Sequence, residues 1–187
     1  MNEEVELVLE VADEKMQHAI DHLEKALIKI RAGKANPSML NSIYVDYYGT
    51  NTPLNQVANV GTSDARTIVI QPWEKQMIGP IEKAIMAANL GFNPDNNGEV
   101  IRINIPMLTE DRRASLVKQV KAEGEDTKIS LRTARRDSIE ELKKMQKDGL
   151  SEDMEKTAED KVQKLIDKYY EKVELMVAVK EKDIMTI

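Results

Sequence analysis

The sequence contains no cysteine, which excludes a disulfide framework, a thiolate metal site and a cysteine nucleophile. Aromatic residues make up only 4% of its 187 residues, a composition that favours long helices over an all-β sandwich. Charged residues recur throughout the first thirty positions, so no apolar leader stretch is expected there. Uncharged apolar runs never reach the roughly 18 residues that a transmembrane helix needs. We therefore expect a soluble, cytoplasmic protein with no membrane partner.

Motifs for enzymatic chemistry are also lacking. The chain has no P-loop, no GxGxxG pattern and no GxSxG pattern. The only spacing typical of a metal site is that of His18 and His22, with Glu14 one helical turn earlier. A zinc site needs three or four ligands, and the chain has no further histidine. We expect no catalytic residues, no metal and no cofactor, and we interpret the protein as a non-enzyme.

Prolines and glycines are concentrated in the middle of the chain. All six prolines, six of the eight glycines and five of the seven aromatic residues lie between Gly33 and Pro106. Because proline ends helices and glycine marks turns, this segment must differ in structure from its flanks. We predict an inserted small α/β domain, rich in β-structure, at residues 33–106. Residues 1–32 and 107–187 would then form one helical domain.

The flanks show the periodicity of three long helices. Apolar residues recur along the first flank at Val5, Val8, Ala12, Met16, Ile20, Leu23, Leu27 and Ile30. After Thr109, a potential N-cap, a second seam comprises Val117, Val120, Gly124, Thr127, Leu131, Ala134, Ser138, Leu142 and Met145. Gly149 predicts a helix end and Ser151 caps a last helix, whose stripe comprises Ala158, Val162, Leu165, Tyr169, Val173 and Met176.

Helices with a single apolar seam are unstable alone, so the three should pack together as an elongated antiparallel three-helix bundle. An open coiled-coil dimer is the alternative, but the short turn at Gly149 favours a bundle within one chain, and we expect a monomer. The middle segment has strand-like runs at 43–48, 67–71 and 100–105 and helical spacing at 80–90. These patterns predict a small sheet covered by one helix, and an α+β fold overall.

Two connections would join the predicted domains, and both contain residues typical of a hinge. Gly33 tolerates backbone changes that other residues do not, and Pro106 marks the second crossing. We predict that the domains move about these connections, which comprise Arg31, Ala32, Gly33, Lys34, Ile105, Pro106, Met107 and Leu108.

Positive charge is gathered on one side of the second long helix. The whole chain has a formal charge of −6, whereas residues 107–150 contain 11 basic and 9 acidic residues. At about 100° per residue, six cations fall within roughly 100° of arc beside the apolar seam. We call them the basic stripe: Lys118, Lys121, Lys128, Arg132, Arg135 and Arg136.

The basic stripe favours contact with RNA phosphates, because three of its six cations are clustered arginines. A solvated face that only pairs with neighbouring acids is the commoner explanation of such a row. A helical RNA-binding or adaptor protein without catalytic activity is therefore the alternative function. An RNA-processing enzyme is disfavoured by the missing nucleophile and metal patterns.

Segments along the whole chain resemble the bacterial ribosome recycling factor family. The segments are IRAGKANP at 30–37, VDYYGT at 45–50, TPL at 52–54, EKAIMAA at 82–88, LG at 90–91, PMLTEDRR at 106–113, LRTARRD at 131–137 and DKVQKL at 160–165. Lys34 is one departure, because the family usually has arginine there. The charge is kept, but a bidentate hydrogen bond is lost.

The resemblance implies an L-shaped protein with the outline of a tRNA. It also implies binding to the ribosome after termination and, with elongation factor G and its hydrolysis of GTP, separation of the subunits, which initiation factor three then keeps apart. The helical domain would bind large-subunit rRNA and the smaller domain would meet elongation factor G. By the same resemblance, functionally important arginines of the family correspond to Arg112, Arg113, Arg132, Arg135 and Arg136.

Overall fold

The computed structural model describes residues 3–186 and divides the chain into two compact units. The larger unit comprises Met1–Ala32 and Glu110–Ile187, and the smaller comprises Gly33–Thr109. Residues 107–109 group with the smaller unit, whereas the change in composition places the boundary after Pro106.

The larger unit consists of three long helices, each packed against the other two. They are α1 (Glu3–Lys29), α3 (Glu110–Lys147) and α4 (Glu152–Met185); α2 (Ile78–Ala87) belongs to the smaller unit. The predicted number and order of long helices are therefore confirmed.

The signals that separate α3 from α4 are confirmed in detail. Gly149 has φ of 117°, a conformation that glycine adopts without steric cost. Its amide donates to the Gln146 carbonyl at 3.2 Å, and the Leu150 amide donates to the Met145 carbonyl at 2.9 Å, which is the Schellman ending. Ser151 caps α4, since its hydroxyl accepts from the Met154 amide at 3.3 Å.

Two predicted seam positions are shifted by one residue. Leu116 is buried in place of Val117, and Ile166 in place of Leu165, because a straight helix drifts relative to a strict seven-residue repeat. The seam of α4 also extends beyond Met176 to the buried Ile184. The other predicted positions of α3 except Met145 are buried.

A buried tyrosine joins α4 to α1. The Tyr169 hydroxyl donates to Asp13 Oδ1 at 2.6 Å. Burial, followed by this hydrogen bond, raises the pKa of Tyr169 above its usual value, so the hydroxyl stays protonated and keeps donating.

The smaller unit contains six strands, one α-helix and three short 3-10 helices. The strands are β1 (Tyr44–Tyr47), β2 (Thr50–Pro53), β3 (Ala58–Asp64), β4 (Thr67–Pro72), β5 (Pro94–Asn96) and β6 (Ile101–Asn104), and the helix is α2 (Ile78–Ala87). The first two strands form an antiparallel hairpin, and the other four form an antiparallel sheet in the order β3-β4-β6-β5. The unit has its own apolar core, to which β4 contributes Ile68 and Ile70 and α2 contributes Ile81 and Ile85.

Candidate nucleic-acid interface

Small residues on α3 let α4 approach closely beside the basic stripe. Gly124 is buried, and a Cβ atom placed on it would lie only 2.7 Å from Cγ2 of Val177 on α4. Thr127, Ala134 and Ser138 continue this narrow seam, and their size leaves room for the facing helix. The basic stripe is therefore bordered by α4 between Lys121 and Arg132.

The basic stripe remains open to solvent in the larger unit. The side chains of Lys121, Arg132 and Arg136 are 64%, 57% and 67% exposed, and Lys118 and Arg135 are also exposed. Lys128 is the exception at 23%, because it lies at the groove between α3 and α4. Five of the six cations are thus accessible to a large anionic partner.

Carboxylates of α4 contact two of the three lysines of the basic stripe. Lys121 Nζ lies 3.9 Å from a Glu181 oxygen, and Lys128 Nζ lies 3.5 Å from a Glu174 oxygen. Lys128 also contacts Glu125, at 3.4 Å. Exposed ion pairs of this kind contribute at most about 1 kcal/mol, so a phosphate could replace the carboxylates at small cost.

The three arginines differ in their surroundings. Arg132 donates through Nε to the Tyr170 hydroxyl at 3.2 Å, and its Nη2 lies 4.0 Å from Glu125 Oε2. Arg136 is near carboxylates of its own helix, Asp137 and Glu140, at 3.6 and 3.9 Å. Arg135 has no ion-pair or hydrogen-bond partner among residues 3–186. Its guanidinium is therefore the least engaged of the three.

Arg112 and Arg113 do not continue the basic stripe. Helical periodicity places Arg112 roughly 120° or more around α3 from it. Arg113 is half-buried and donates through Nη1 to the Met185 carbonyl at 3.5 Å, close to the end of α4. Its Nε is buried without a hydrogen-bond partner in the described part of the chain. Any RNA contact by Arg112 would be separate from the basic stripe.

Sequence reasoning missed the contribution of α4 to this surface. Tyr170, Glu174 and Glu181 all contact cations of α3 although they lie far away in sequence. A helical wheel shows the faces of one helix only, so no signal in the sequence pairs these residues with the basic stripe.

Two of the residues predicted to form a hinge, Gly33 and Leu108, meet within the smaller unit. Gly33 has φ of 73°, and a Cβ atom on it would lie 2.8 Å from Cγ of Leu108. The turn between β3 and β4 is hydrogen-bonded beside the first connection and within the second: the amide of Ala35, the residue after Lys34, donates to the Ala65 carbonyl, and the Ile105 amide donates to the Arg66 carbonyl, each at 2.8 Å. Movement about these residues stays a prediction.

A profile described as ribosome recycling factor matches residues 23–185 of the chain. The chain belongs to the ribosome recycling factor family. The ribosome-recycling factor of Flavobacterium psychrophilum is 54% identical over 187 residues, which cover 100% of both chains. The resemblance found in the sequence is therefore confirmed.

Solved structures of ribosome recycling factors support the same assignment. A solution structure of the ribosome recycling factor matches with a TM-score of 0.81 and 33% identity, covering 100% of both chains. A second match is described as models for the T. thermophilus ribosome recycling factor and the E. coli elongation factor G bound to the E. coli post-termination complex. Its TM-score is 0.65 and its identity 39%, over 97% of this chain and 99% of that chain. The predicted α+β class is confirmed.

Residues 3–186 of this ribosome recycling factor family member contain no cluster of side chains arranged to hold a metal ion. Histidines 18 and 22 are accordingly not part of such a cluster. Within the same residues, no helix is long and apolar enough to cross a membrane.

The smaller unit of this family member contains a second polar cluster, centred on Glu74. Its two carboxylate oxygens accept hydrogen bonds from the Tyr47 hydroxyl at 2.6 Å and the Tyr48 hydroxyl at 2.8 Å. Gln76 Nε2 donates to Glu74 at 2.7 Å and also to the Tyr48 hydroxyl. Hydrogen bonds from Tyr47, Gln76 and Tyr48 lower the pKa of Glu74 below its usual value.

We expect this cluster to make the smaller unit sensitive to acid. Folding lowers the pKa of Glu74. The ionised carboxylate therefore stabilises the unit above about pH 4.3, the ordinary pKa, and this stabilisation is lost as pH falls through the lowered pKa. Glu74→Gln should lower the melting temperature at pH 7, and the gap from wild type should close on acidification toward pH 3. Fluorescence of Trp73, the only tryptophan, reports the melting of this unit. Glu99→Gln is the control, and an equal gap at every pH would contradict the assignment.

Proposed function

We propose that this chain binds the post-termination ribosome and, with elongation factor G and GTP, promotes dissociation of the ribosome into subunits for a new round of translation. Family membership over the full length supports the proposal, as does the matching structure described with elongation factor G on a post-termination complex. In this proposal the chain makes and breaks no covalent bond. It acts as a cytoplasmic monomer, and GTP hydrolysis belongs to elongation factor G.

The basic stripe is the proposed binding face for large-subunit rRNA. The observation that carries this proposal is its geometry: six cations share one side of α3, and five of them are exposed. From Lys118 to Arg136 the stripe spans about 27 Å at 1.5 Å per residue, long enough to reach several phosphates. The acidic character of the rest of the chain would orient this face toward RNA.

The smaller unit is the proposed contact for elongation factor G, and the connections at 31–34 and 105–108 are the proposed hinge. The β3–β4 turn is bonded to Ala35, next to the first connection, and to Ile105 in the second, so a force applied to the smaller unit would reach both connections. We propose that the two units turn as nearly rigid bodies at these connections.

A helical adaptor remains the second candidate, because Glu174 and Glu181 already contact lysines of the basic stripe. In such a protein the basic stripe would form these ion pairs and would bind no RNA. Ribosome binding by variants of the basic stripe separates the two functions.

Arg135→Ala is the cleanest test of the proposed face, since this arginine has no partner to lose within residues 3–186. We expect its affinity for vacant large subunits to fall about tenfold, or about 1.4 kcal/mol. The slope of log K against log salt should become shallower by about 0.9 or less, because one fewer counterion is released. Co-sedimentation across a salt series measures both quantities.

Lys144→Ala is the matched control for Arg135→Ala. It removes one positive charge from the same helix but lies outside the arc of the basic stripe. Its affinity and salt slope should stay at wild-type values, and both variants should keep the wild-type melting temperature. Equal binding by Arg135→Ala and wild type would favour the adaptor.

A further inference from the structure

One hydroxyl from α4 belongs to the surface that the basic stripe forms on α3. The half-buried ring of Tyr170 places its hydroxyl 3.2 Å from Nε of Arg132. Adjacent Tyr169 is buried and donates to Asp13 of α1. The two neighbouring tyrosines therefore serve different partners, and only Tyr170 reaches the basic stripe.

The hydrogen bond between Arg132 and Tyr170 leaves donors available on both residues. A phenolic hydroxyl can accept hydrogen bonds and donate one, and here it accepts from Nε. The Tyr170 proton has no acceptor among residues 3–186. With Nε occupied by Tyr170, the four N–H groups on the two Nη atoms of Arg132 can still bind an oxyanion.

We propose that Tyr170 is an RNA-binding and positioning residue of this surface. Its hydroxyl accepts a hydrogen bond from Nε of Arg132 and so fixes the guanidinium. The same hydroxyl donates a hydrogen bond to the phosphate that Arg132 binds. The ligand is a phosphodiester oxygen of rRNA, so this inference rests on the proposed function.

The position of Glu125 explains why Arg132 needs such a partner. Glu125 Oε2 lies 4.0 Å from Arg132 Nη2, beyond hydrogen-bond distance, while Glu125 Oε1 contacts Lys128 at 3.4 Å. Without the Tyr170 hydroxyl, no other contact of Arg132 within residues 3–186 would keep its guanidinium from turning toward this carboxylate. Tyr170 thus keeps Arg132 available for RNA.

Tyr170→Phe removes the hydroxyl and keeps the ring, so the packing of α4 should be retained. We expect affinity for vacant large subunits to fall about three- to tenfold, the range for the net contribution of one typical hydrogen bond. The slope of log K against log salt should not change, because a neutral side chain releases no counterion. Arg132→Ala should lower the affinity and also make the slope shallower.

The double variant Arg132→Ala/Tyr170→Phe should bind only as weakly as Arg132→Ala, since the hydroxyl acts together with the guanidinium. Tyr169→Phe is the control: losing the bond to Asp13 should lower the melting temperature and leave affinity unchanged.

Three results would overturn the assignment of Tyr170. If Tyr170→Phe bound with wild-type affinity while Arg132→Ala bound more weakly, Tyr170 would not belong to the RNA-binding surface. The proposed face itself would stand. Independent, additive losses in the double variant would contradict the positioning role. Unchanged affinity in both single variants would overturn the proposed RNA-binding face at Arg132 as well.

Discussion

A disulfide between residues 33 and 108 should leave ribosome binding intact and abolish subunit splitting. The structure supports this pair, because an ideal Cβ on Gly33 would lie 3.8 Å from Cβ of Leu108. That separation is the mean for disulfides, about 3.8 Å. Replacing Leu108 by cysteine also removes the Cγ and Cδ1 atoms that a side chain at residue 33 would otherwise meet at 2.8 and 3.0 Å.

The physical reason is that the bond ties the two proposed hinge connections together. Binding should survive because the basic stripe lies on α3, away from these connections in the chain. In the proposed mechanism the units must turn for splitting to occur, so the oxidised Gly33→Cys/Leu108→Cys protein should split ribosomes no faster than a reaction without it. Light scattering of ribosomes with elongation factor G and GTP measures the rate, and co-sedimentation measures binding.

Two comparisons isolate the cross-link from the substitutions themselves. Residue 33 has a left-handed backbone, so any side chain there costs about 1 kcal/mol. The reduced double variant contains the same strain and should recover splitting. Undiminished splitting by the oxidised protein would show that binding alone separates the subunits, and the hinge proposal would be wrong.

Gly124→Leu should lower the stability of the helical unit by about 3 kcal/mol, or roughly 10 °C in melting temperature. Even a Cβ atom at this position would lie 2.7 Å from Cγ2 of Val177, and valine has little rotamer freedom with which to move away. The added side chain would push α4 from α3 and disturb the groove beside Lys128. Circular dichroism at 222 nm measures the melting of the helices.

Gly79→Leu is the matched control, since it changes the other glycine that lies within a helix, in the first turn of α2. A Cβ atom on Gly79 meets nothing within 4 Å, and the residue is exposed. Leucine is a better helix former than glycine, but the following Pro80 disfavours a helical side chain at residue 79, so this variant should melt close to the wild-type temperature. Equal melting temperatures for Gly124→Leu and wild type would mean that α3 and α4 can separate at no cost.

The helices were predictable because their signal is repeated many times along the sequence. The one-residue errors at Val117 and Leu165 arose where 4-4 steps replace the alternating 4-3 pattern. The central strands β4 and β6 were predicted from their alternating apolar residues. The edge strands β3 and β5 were missed, since a strand with a free edge needs few apolar residues, and β5 has only three residues.

The candidate site was predictable only in part, for a similar reason. Cations on one helix can be placed on a wheel, which identified the basic stripe on α3. Partners such as Tyr170 depend on the packing of α4 against α3, and a single sequence gives no register for that packing. The pair at Gly33 and Leu108 was likewise expected near a hinge, but their direct approach needed the structure.

The approach of Gly33 to Leu108 also affects how the chain folds. For the helical bundle, all residues between α1 and α3 amount to one long loop. Closing a flexible loop of that length costs on the order of 4 kcal/mol in chain entropy. The smaller unit has its own apolar core, so its folding can bring the ends of this loop together first. The helices α1 and α3 then associate as if a short turn joined them. We therefore expect that folding of the smaller unit lowers the entropy cost of bringing α1 and α3 together.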